Sequence, residues 1–316
     1  MILPLVAFAE LYAGRIQDKR VPSHEDWARG ADAASRLARP DASTRYPIVV
    51  APRWATPVGD MALGGFSALR PASEAVVDTH VTGRSSLETA RHVVELSVAG
   101  ADDPEIKGWK RSHEEHFGPL HVRVLDNPAP AKLLRDLSDE IDPSAKVMRV
   151  DPSGKESACR WETSGPQKIL VVFSGPEIPI QRFLCPPYDT GWAFVAPTVI
   201  TDLAYVPRRC IFMHPEGETK LRISLPPKPI GRRVVAWVGL PYEVERELTK
   251  GPVRARIQVA GETVAEVTHF EGDGWKRFEG DSSKFAGQSL PVTIETFVDD
   301  GNSGYRQACV AAELRE

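Results

Sequence analysis

The sequence predicts an α+β protein in which a small α/β domain precedes an antiparallel β-sandwich of the jelly-roll type. Three observations carry this prediction. Apolar and polar residues alternate between Gly251 and Asp300 in runs separated by Gly-rich or Ser-rich turns, which is typical of half-buried strands. From Pro197 onward, strand candidates recur about every ten residues, the spacing of a sandwich. Before Ile141, a helical pattern precedes a short apolar strand, as in α/β units.

The length of the chain favours more than one domain. It has 316 residues, and a single hydrophobic core usually stops growing at about 250 to 300 residues. We expect a hydrophobic helix at 1–18, a small α/β domain at 19–141, a β-rich connecting segment at 142–196 and the jelly-roll sandwich at 197–316.

The elements of the first domain are predicted from caps and prolines. Ser23 is a candidate N-cap with Asp26 three residues later, so a helix should begin there. Tyr46 to Pro52 is an apolar run bounded by prolines, which indicates a buried strand. His92 to Val98 and Leu120 to Leu125 are two further strand candidates.

In the sandwich, the clearest strand runs from Val253 to Val259, where every second residue is apolar. Gly261 and Glu262 separate it from Thr263 to Thr268, which predicts a tight hairpin. Val292 to Val298 predicts the next strand.

The net charge argues against nucleic-acid binding. The formal charge is -4 and the pI is about 6.1, whereas a protein that neutralises phosphates usually presents a basic face. We therefore expect no nucleic-acid partner.

Four cysteines, none in a CxxC pair, favour disulfides over a zinc or redox site. We predict one bridge between Cys159 and Cys185, which flank a hairpin-like segment. The other should join Cys210 to Cys309, on the first and last strands of the sandwich. Disulfides imply an oxidising compartment, and the alternative is four buried free thiols in a reducing cytosol.

Residues 1–17 begin with an apolar run that Glu10 interrupts. The run is shorter than the roughly 20 residues of a membrane span and lacks the features of a secretory signal. Two interpretations stay open: the end of a membrane helix, which would associate the chain with a membrane, or an amphipathic helix docked on the first domain.

Aromatic residues on the sandwich suggest a sugar-binding platform, because a pyranose ring has an apolar face that stacks on aromatic rings. The candidate ligand-binding residues are the stacking or polar side chains Trp275, Tyr242 and His269 and their charged partners Arg254, Arg256 and Glu245.

No catalytic residues are predicted. Glu243, Glu245 and Glu247 should share one face of a strand-like stretch, where a glycosidase could carry paired carboxylates, but a solvated strand face explains them as well. The sequence has neither a phosphate-binding Gly-rich loop nor a Gly-x-Ser-x-Gly elbow.

No metal site or cofactor is predicted either. His113 to His116 place two histidines three residues apart, not four as in helical metalloprotease motifs, so we expect a solvated charged turn. Asp299 and Asp300 could hold a structural calcium ion, although such residues favour β-turns without any ion.

Two resemblances rest on short motifs. The region from Trp27 through Ile48-Val49-Val50-Ala51-Pro52 to Phe117-Gly118-Pro119-Leu120-His121-Val122 resembles the extracytoplasmic tail that follows the last membrane helix in polytopic bacterial glycosyltransferases of the lipid-linked-sugar type. This resemblance implies that Met1 to Gly14 is the stub of a membrane helix, and no catalytic residue carries over.

The remaining region, with Arg208-Arg209-Cys210-Ile211-Phe212-Met213-His214-Pro215 and Gly272-Asp273-Gly274-Trp275-Lys276, is similar to β-sandwich domains of bacterial envelope proteins. That similarity implies the shape of a carbohydrate-binding module. We therefore expect a non-catalytic periplasmic or extracellular protein that binds glycan or another envelope component. The alternatives are an accessory domain of a membrane glycosyltransferase and a structural role in envelope assembly.

Overall fold

The computed structural model describes residues 21–41, 44, 46–63, 85–163, 179–186, 193–215, 217–246, 252–298 and 307–316. The chain divides into two compact units. The first comprises the described residues up to Leu63 together with 90–130, and the second comprises 85–89 and the described residues from 131 on. Residues 131–141, predicted within the small α/β domain, thus belong to the second unit. The predicted hydrophobic helix at 1–18 lies outside the described residues.

The first unit is a four-stranded sheet packed against a helix. The helices are α1 (His24–Leu37) and α2 (Thr56–Ala62), and the strands are β1 (Ile48–Ala51), β2 (His92–Val98), β3 (Lys110–Phe117) and β4 (Leu120–Asp126). The strand order is β1-β2-β4-β3, with β1 parallel to β2 and the other pairs antiparallel. Ser23 and Asp26 form the predicted capping box of α1. Alanines of α1 pack against Leu96 and Leu120, which forms the small core.

The prediction of a charged turn at His113 to His116 is wrong, because these residues lie in strand β3. The strand is at the edge of the sheet, and the turn comes after it, at Gly118, where φ is 55°. Both faces of β3 carry charged residues, so the strand lacks the apolar alternation by which strands are recognised. Charged edge strands are common because charge opposes pairing with other chains.

The second unit is an antiparallel β-sandwich, which confirms the predicted fold class. It contains the short helix α3 (Tyr242–Arg246) and strands β5 (Leu133–Asp136), β6 (Lys146–Val150), β7 (Glu156–Ala158), β8 (Arg160–Glu162), β9 (Arg182–Leu184), β10 (Phe194–Thr201), β11 (Pro207–Met213), β12 (Lys220–Pro229), β13 (Arg233–Gly239), β14 (Val253–Val259), β15 (Glu262–His269), β16 (Lys276–Asp281), β17 (Ser289–Phe297) and β18 (Ala308–Arg315).

These strands form two sheets. One has the order β16-β13-β18-β11-β10-β9-β8, with β5 added beside β18, and the other has the order β15-β14-β17-β12-β6-β7. Their facing side chains interdigitate in one core, to which Val310 and Leu314 contribute from the first sheet and Ile257 and Ile294 from the second. The alternation predicted for Val253 to Val259 is confirmed, since its apolar residues are buried and its polar ones are partly exposed.

Both predicted disulfides are present. Cys159 bonds Cys185, and Cys210 bonds Cys309, so the chain has no free cysteine. The first links the segment between β7 and β8 to the end of β9, and the second links neighbouring strands β11 and β18. Disulfides persist in oxidising compartments, so they indicate an extracytoplasmic environment. None of the described helices is long and apolar enough to cross a membrane.

Strand β18 also carries a buried, hydrogen-bonded glutamate–arginine pair. Glu313 is 1% exposed, and its Oε2 accepts hydrogen bonds from Arg315 Nε at 2.9 Å and Nη2 at 2.7 Å. Arg315 also donates from Nη1 to Glu88 at 2.5 Å. Burial raises the pKa of Glu313 to about 7, against the opposing charge and hydrogen bonds of Arg315. Partial burial acts to raise the pKa of Glu88. The hydrogen bond from Arg315 and the charges of Arg315 and Arg277 act in the opposite direction, and the net effect is a lowered pKa.

These opposite shifts predict opposite pH dependences. An unfolded Glu313 loses its proton near pH 4.5, whereas the folded protein keeps it until about pH 7, so this residue makes stability fall as pH rises through that window. Glu313→Gln removes that fall. Its free energy of unfolding, relative to the unchanged protein, should therefore increase by roughly 3 kcal/mol between pH 4 and pH 8, measured by urea denaturation.

Glu88→Gln is the matched control, because Glu88 shares Arg315 and its pKa is lowered. Its stabilising contribution is present above the ordinary pKa of glutamate and is lost in acid, so this variant should lose stability at neutral pH and little at low pH. The same sign of pH dependence in both variants would contradict the assignment.

Candidate functional site

The structure brings four of the six predicted binding residues together at one end of the sandwich and places the other two elsewhere. Glu245 lies 3.0 Å from His269, whose Nε2 is 2.7 Å from the carbonyl oxygen of Gly274, the neighbour of Trp275. Tyr242 begins the same helix, α3, that carries Glu245. Sequence reasoning missed two residues that complete this cluster, Asp202 and Tyr205.

Asp202 organises the loop between β10 and β11. Its side chain is buried, and Oδ1 accepts hydrogen bonds from the backbone N–H groups of Ala204 at 3.0 Å and Val206 at 2.9 Å. Oδ2 accepts a third, at 2.9 Å, from the N–H of Trp275. An aspartate that begins a turn commonly bonds the backbone two residues later. Here the same carboxylate also ties the loop to the segment between β15 and β16.

Within this loop, Tyr205 has a left-handed backbone conformation with φ of 58°. For a residue with a Cβ atom, this conformation costs about 1 to 2 kcal/mol. The N–H of Tyr205 donates to the carbonyl oxygen of Asp202 at 3.0 Å, which helps to hold it. Residues held in such conformations cluster at functional sites, so Tyr205 marks this loop as a candidate.

The ring of Tyr205 stacks on that of Tyr242. Their centroids are 5.3 Å apart with an angle of 29° between the planes, and the hydroxyl of Tyr205 donates to that of Tyr242 at 3.3 Å. This hydrogen bond raises the pKa of Tyr205. The guanidinium carbon of the exposed Arg246 lies 5.4 Å from the centre of the Tyr242 ring. Both tyrosines are partly exposed, so the pair forms an amphipathic surface beside a positive charge.

Beneath Tyr242, the helix α3 presents a buried carboxylate to a buried histidine. Glu245 and His269 are both 0% exposed. The predicted common face of Glu243 and Glu245 is wrong, because these residues lie in a helix where Glu243 is exposed and Glu245 is buried. Glu247 lies outside the described residues. Glu245 thus places α3 against His269, the last residue of β15.

Trp275 lies at the base of this cluster. It is partly buried, and its Nε1 donates to the carbonyl oxygen of Val206 at 2.8 Å. The ring of Trp275 packs against Gly239. A Cβ atom at position 239 would lie only 2.7 Å from a ring carbon of Trp275. This packing supports the tyrosine loop from below and leaves less of Trp275 for stacking than the sequence suggested.

Arg254 and Arg256 lie on the outer face of the six-stranded sheet. Both bond the carboxylate of Glu266, with 2.7 Å between Arg256 Nε and Oε2, and both guanidinium groups lie about 5 Å from the ring of Phe297. The hydrogen bond from Arg256, together with Arg254, lowers the pKa of Glu266. These two arginines therefore belong to an ion-paired face of the sheet and not to the tyrosine cluster. The charged side chain beside the tyrosine pair is Arg246.

Among the described residues, one group has side chains suited to a metal ion. Glu114, His116 and His121 lie in the first unit, with one potential ligand atom each and all three atoms within 4.8 Å of one another. The proposed calcium ligands Asp299 and Asp300 lie outside the described residues.

No protein-family model and no curated protein matches this sequence. The resemblance to glycosyltransferase tails and envelope proteins therefore stays a prediction.

Solved structures share low similarity with the chain. The CBM51-2 domain in complex with GlcNAc, with the INT domains of Clostridium perfringens ZmpB, is 14% identical over 68% of this chain, with a TM-score of 0.32. The same domains described without GlcNAc are 15% identical over 73% of this chain, also with a TM-score of 0.32. The chain covers 43% of each of those chains.

A family 43 arabinoxylan arabinofuranohydrolase from Bacillus subtilis, in complex with cellotetraose, is 11% identical over 63% of this chain and 35% of its own, with a TM-score of 0.25. Values this low support no inference about the present chain.

Asp202→Ala tests the role of the loop carboxylate. The change leaves three backbone N–H groups without their acceptor, so the free energy of unfolding should fall by roughly 2 to 4 kcal/mol. Hydrogen exchange should accelerate at the amides of Ala204, Val206 and Trp275.

Asp281→Ala is the control, because Asp281 also accepts a turn N–H, from Ser283 at 2.9 Å, but is exposed. It should cost much less and leave exchange in the tyrosine loop unchanged. Equal effects of the two substitutions on that loop would contradict the role of Asp202.

Proposed function

We propose that this protein binds glycans, with a sugar ring placed against the stacked pair Tyr205 and Tyr242. The observation that carries the proposal is the tyrosine pair itself: both rings are partly exposed and stacked, and Asp202 bonds the backbone on either side of Tyr205. Tyrosine suits such a surface because it offers a large amphipathic contact area with few rotatable bonds to immobilise.

The chemistry of the pair matches that of a pyranose ring. One face of the sugar presents C–H groups, which pack on an aromatic ring, while its hydroxyls need hydrogen-bond partners. The two tyrosine hydroxyls can donate and accept, and the guanidinium of Arg246 supplies further donors beside Tyr242. Phe270, 52% exposed, follows His269 on the neighbouring segment and adds apolar surface at this end of the sandwich.

The disulfides support an extracytoplasmic setting for this activity. Polysaccharides of the cell envelope are abundant there, and we propose an envelope glycan as the ligand. The protein would then act as a binding component of the periplasm or the cell exterior.

A glycan array probed with the full chain, followed by calorimetry with the best-bound sugar, tests the proposal. Tyr242→Ala and Tyr205→Ala should each weaken binding at least about tenfold, or about 1.4 kcal/mol, because each removes either the ring that the sugar contacts or the ring that supports it by stacking. Tyr242→Phe keeps the ring and removes only the hydroxyl, so its loss should be smaller than that of Tyr242→Ala.

Trp54→Ala is the control, since Trp54 is a large aromatic residue of the other unit with 64% exposure. Its removal should leave affinity unchanged. An array without any bound glycan, or full affinity in both tyrosine variants with unchanged thermal midpoints, would refute the proposal.

A further inference from the structure

The face of the first unit's sheet that carries Glu114 holds a second group of chemically active side chains. Alternation along β3 places Glu114 and His116 on the same face, and His121 of β4 is paired directly with His116. The residues come from neighbouring strands joined by a two-residue turn, so their backbone positions are fixed by the hydrogen-bonded ladder. His113 and Glu115 alternate with them and point to the opposite face, where Glu115 pairs with Arg36 of α1.

The side chains of this group already contact one another. His121 Nδ1 is 3.1 Å from Glu114 Oε1, and His116 Nε2 is 3.8 Å from Glu114 Oε2. The two imidazole rings meet edge to face, with centroids 4.3 Å apart. Ligand atoms around a tetrahedral zinc ion, each about 2.0 to 2.2 Å from the metal, are roughly 3.4 Å from one another. Small rotations of these side chains would reach that spacing.

We propose that Glu114, His116 and His121 bind a divalent transition-metal ion of the zinc type. Two imidazole nitrogens and one carboxylate oxygen suit Zn²⁺ and its transition-metal neighbours better than Ca²⁺ or Mg²⁺, which prefer oxygen ligands. The side chain of His116 is 56% exposed. An ion held here would therefore keep a position open to water or to an external ligand, as in sites where three protein ligands leave the fourth position free.

Two arginines approach the same carboxylate, and their roles differ. Arg123 is buried and lies 3.6 Å from Glu114, but its charge is balanced by Asp102 at 2.7 Å. It therefore attracts Glu114 without leaving a net positive charge at the site. Arg111 is exposed and bonds Glu114 Oε2 at 2.5 Å, so it competes with a metal ion for that oxygen. Its flexible side chain can move into water when a metal binds.

Titration of the full, disulfide-intact chain with Zn²⁺ tests the site, since the chain has no free cysteine to compete for the ion. One equivalent should bind. His116→Ala and His121→Ala should each weaken zinc binding at least about tenfold. Even loss of a residue that only hydrogen-bonds to a metal ligand usually lowers metal affinity by about this factor, and these variants lose a ligand itself. Co²⁺ in place of Zn²⁺ should give visible absorption bands of a low-coordinate site, and these should disappear in both variants.

His113→Ala is the matched control, because it removes a histidine from the same strand on the opposite face. It should leave zinc affinity and the cobalt spectrum unchanged. Arg111→Ser removes the competing cation and should tighten zinc binding several-fold. Circular dichroism should show that each variant keeps its fold.

Absence of a saturable equivalent in the unchanged chain would overturn the proposal. Equal losses in His113→Ala and His116→Ala would also overturn it, since they would indicate general surface binding. Zinc binding here and sugar binding at the tyrosine pair use different units of the chain, so either proposal can fail without the other.

Discussion

Strand β18 is the structural centre of the second unit, because it is buried along its whole length and paired on both sides. All eight of its residues are buried, and it pairs with β13 and β11, with β5 added at one end. The bridge from Cys309 to Cys210 fixes it to β11 across a sequence separation of 99 residues. A disulfide that closes a loop of this size lowers the conformational entropy of the unfolded chain, which stabilises the folded state by about 4 to 5 kcal/mol.

The position of β18 explains both the charges inside it and the rigidity of the candidate site. Val310 and Leu314 face the sandwich core, while Cys309 and Ala311 join a smaller apolar cluster on the other face, so neither face meets water. Ionisable residues there need hydrogen-bond partners, and Arg315 donates to Glu313. The loop of Tyr205 ends where β11 begins, and β11 is the strand that the disulfide joins to β18. A stiff base therefore holds the strained tyrosine.

The sequence predicted those features that depend on local periodicity or on pairs of rare residues. The alternation in β14 and the two cysteine pairings were of this kind, and both were confirmed. At His113 to His116, within β3, the sequence predicts a turn because polar residues occupy both faces of the strand. It predicts a strand-like stretch where α3 lies because so few residues show no helical period. Asp202 and Tyr205 could not be found, since the bond from Asp202 to Trp275 joins residues 73 positions apart.

Binding residues were predicted on two surfaces of the sandwich, the outer face with Arg254 and Arg256 and the end with Tyr242. These surfaces differ in the contacts that a ligand would have to break. On the outer face of the six-stranded sheet, Arg254 and Arg256 are already bonded to Glu266, and Glu295 lies between Arg222 and Arg256. An acidic ligand would have to displace Glu266 or Glu295 from these guanidinium groups. Each new ion pair would replace an existing one, so the net gain in binding free energy would be small. At the tyrosine pair, the two rings are held by stacking and one hydroxyl hydrogen bond, so a neutral sugar ring would have no ion pair between these two side chains to break. Of these two surfaces, the tyrosine end is therefore the one where a ligand would have fewer ion pairs to displace.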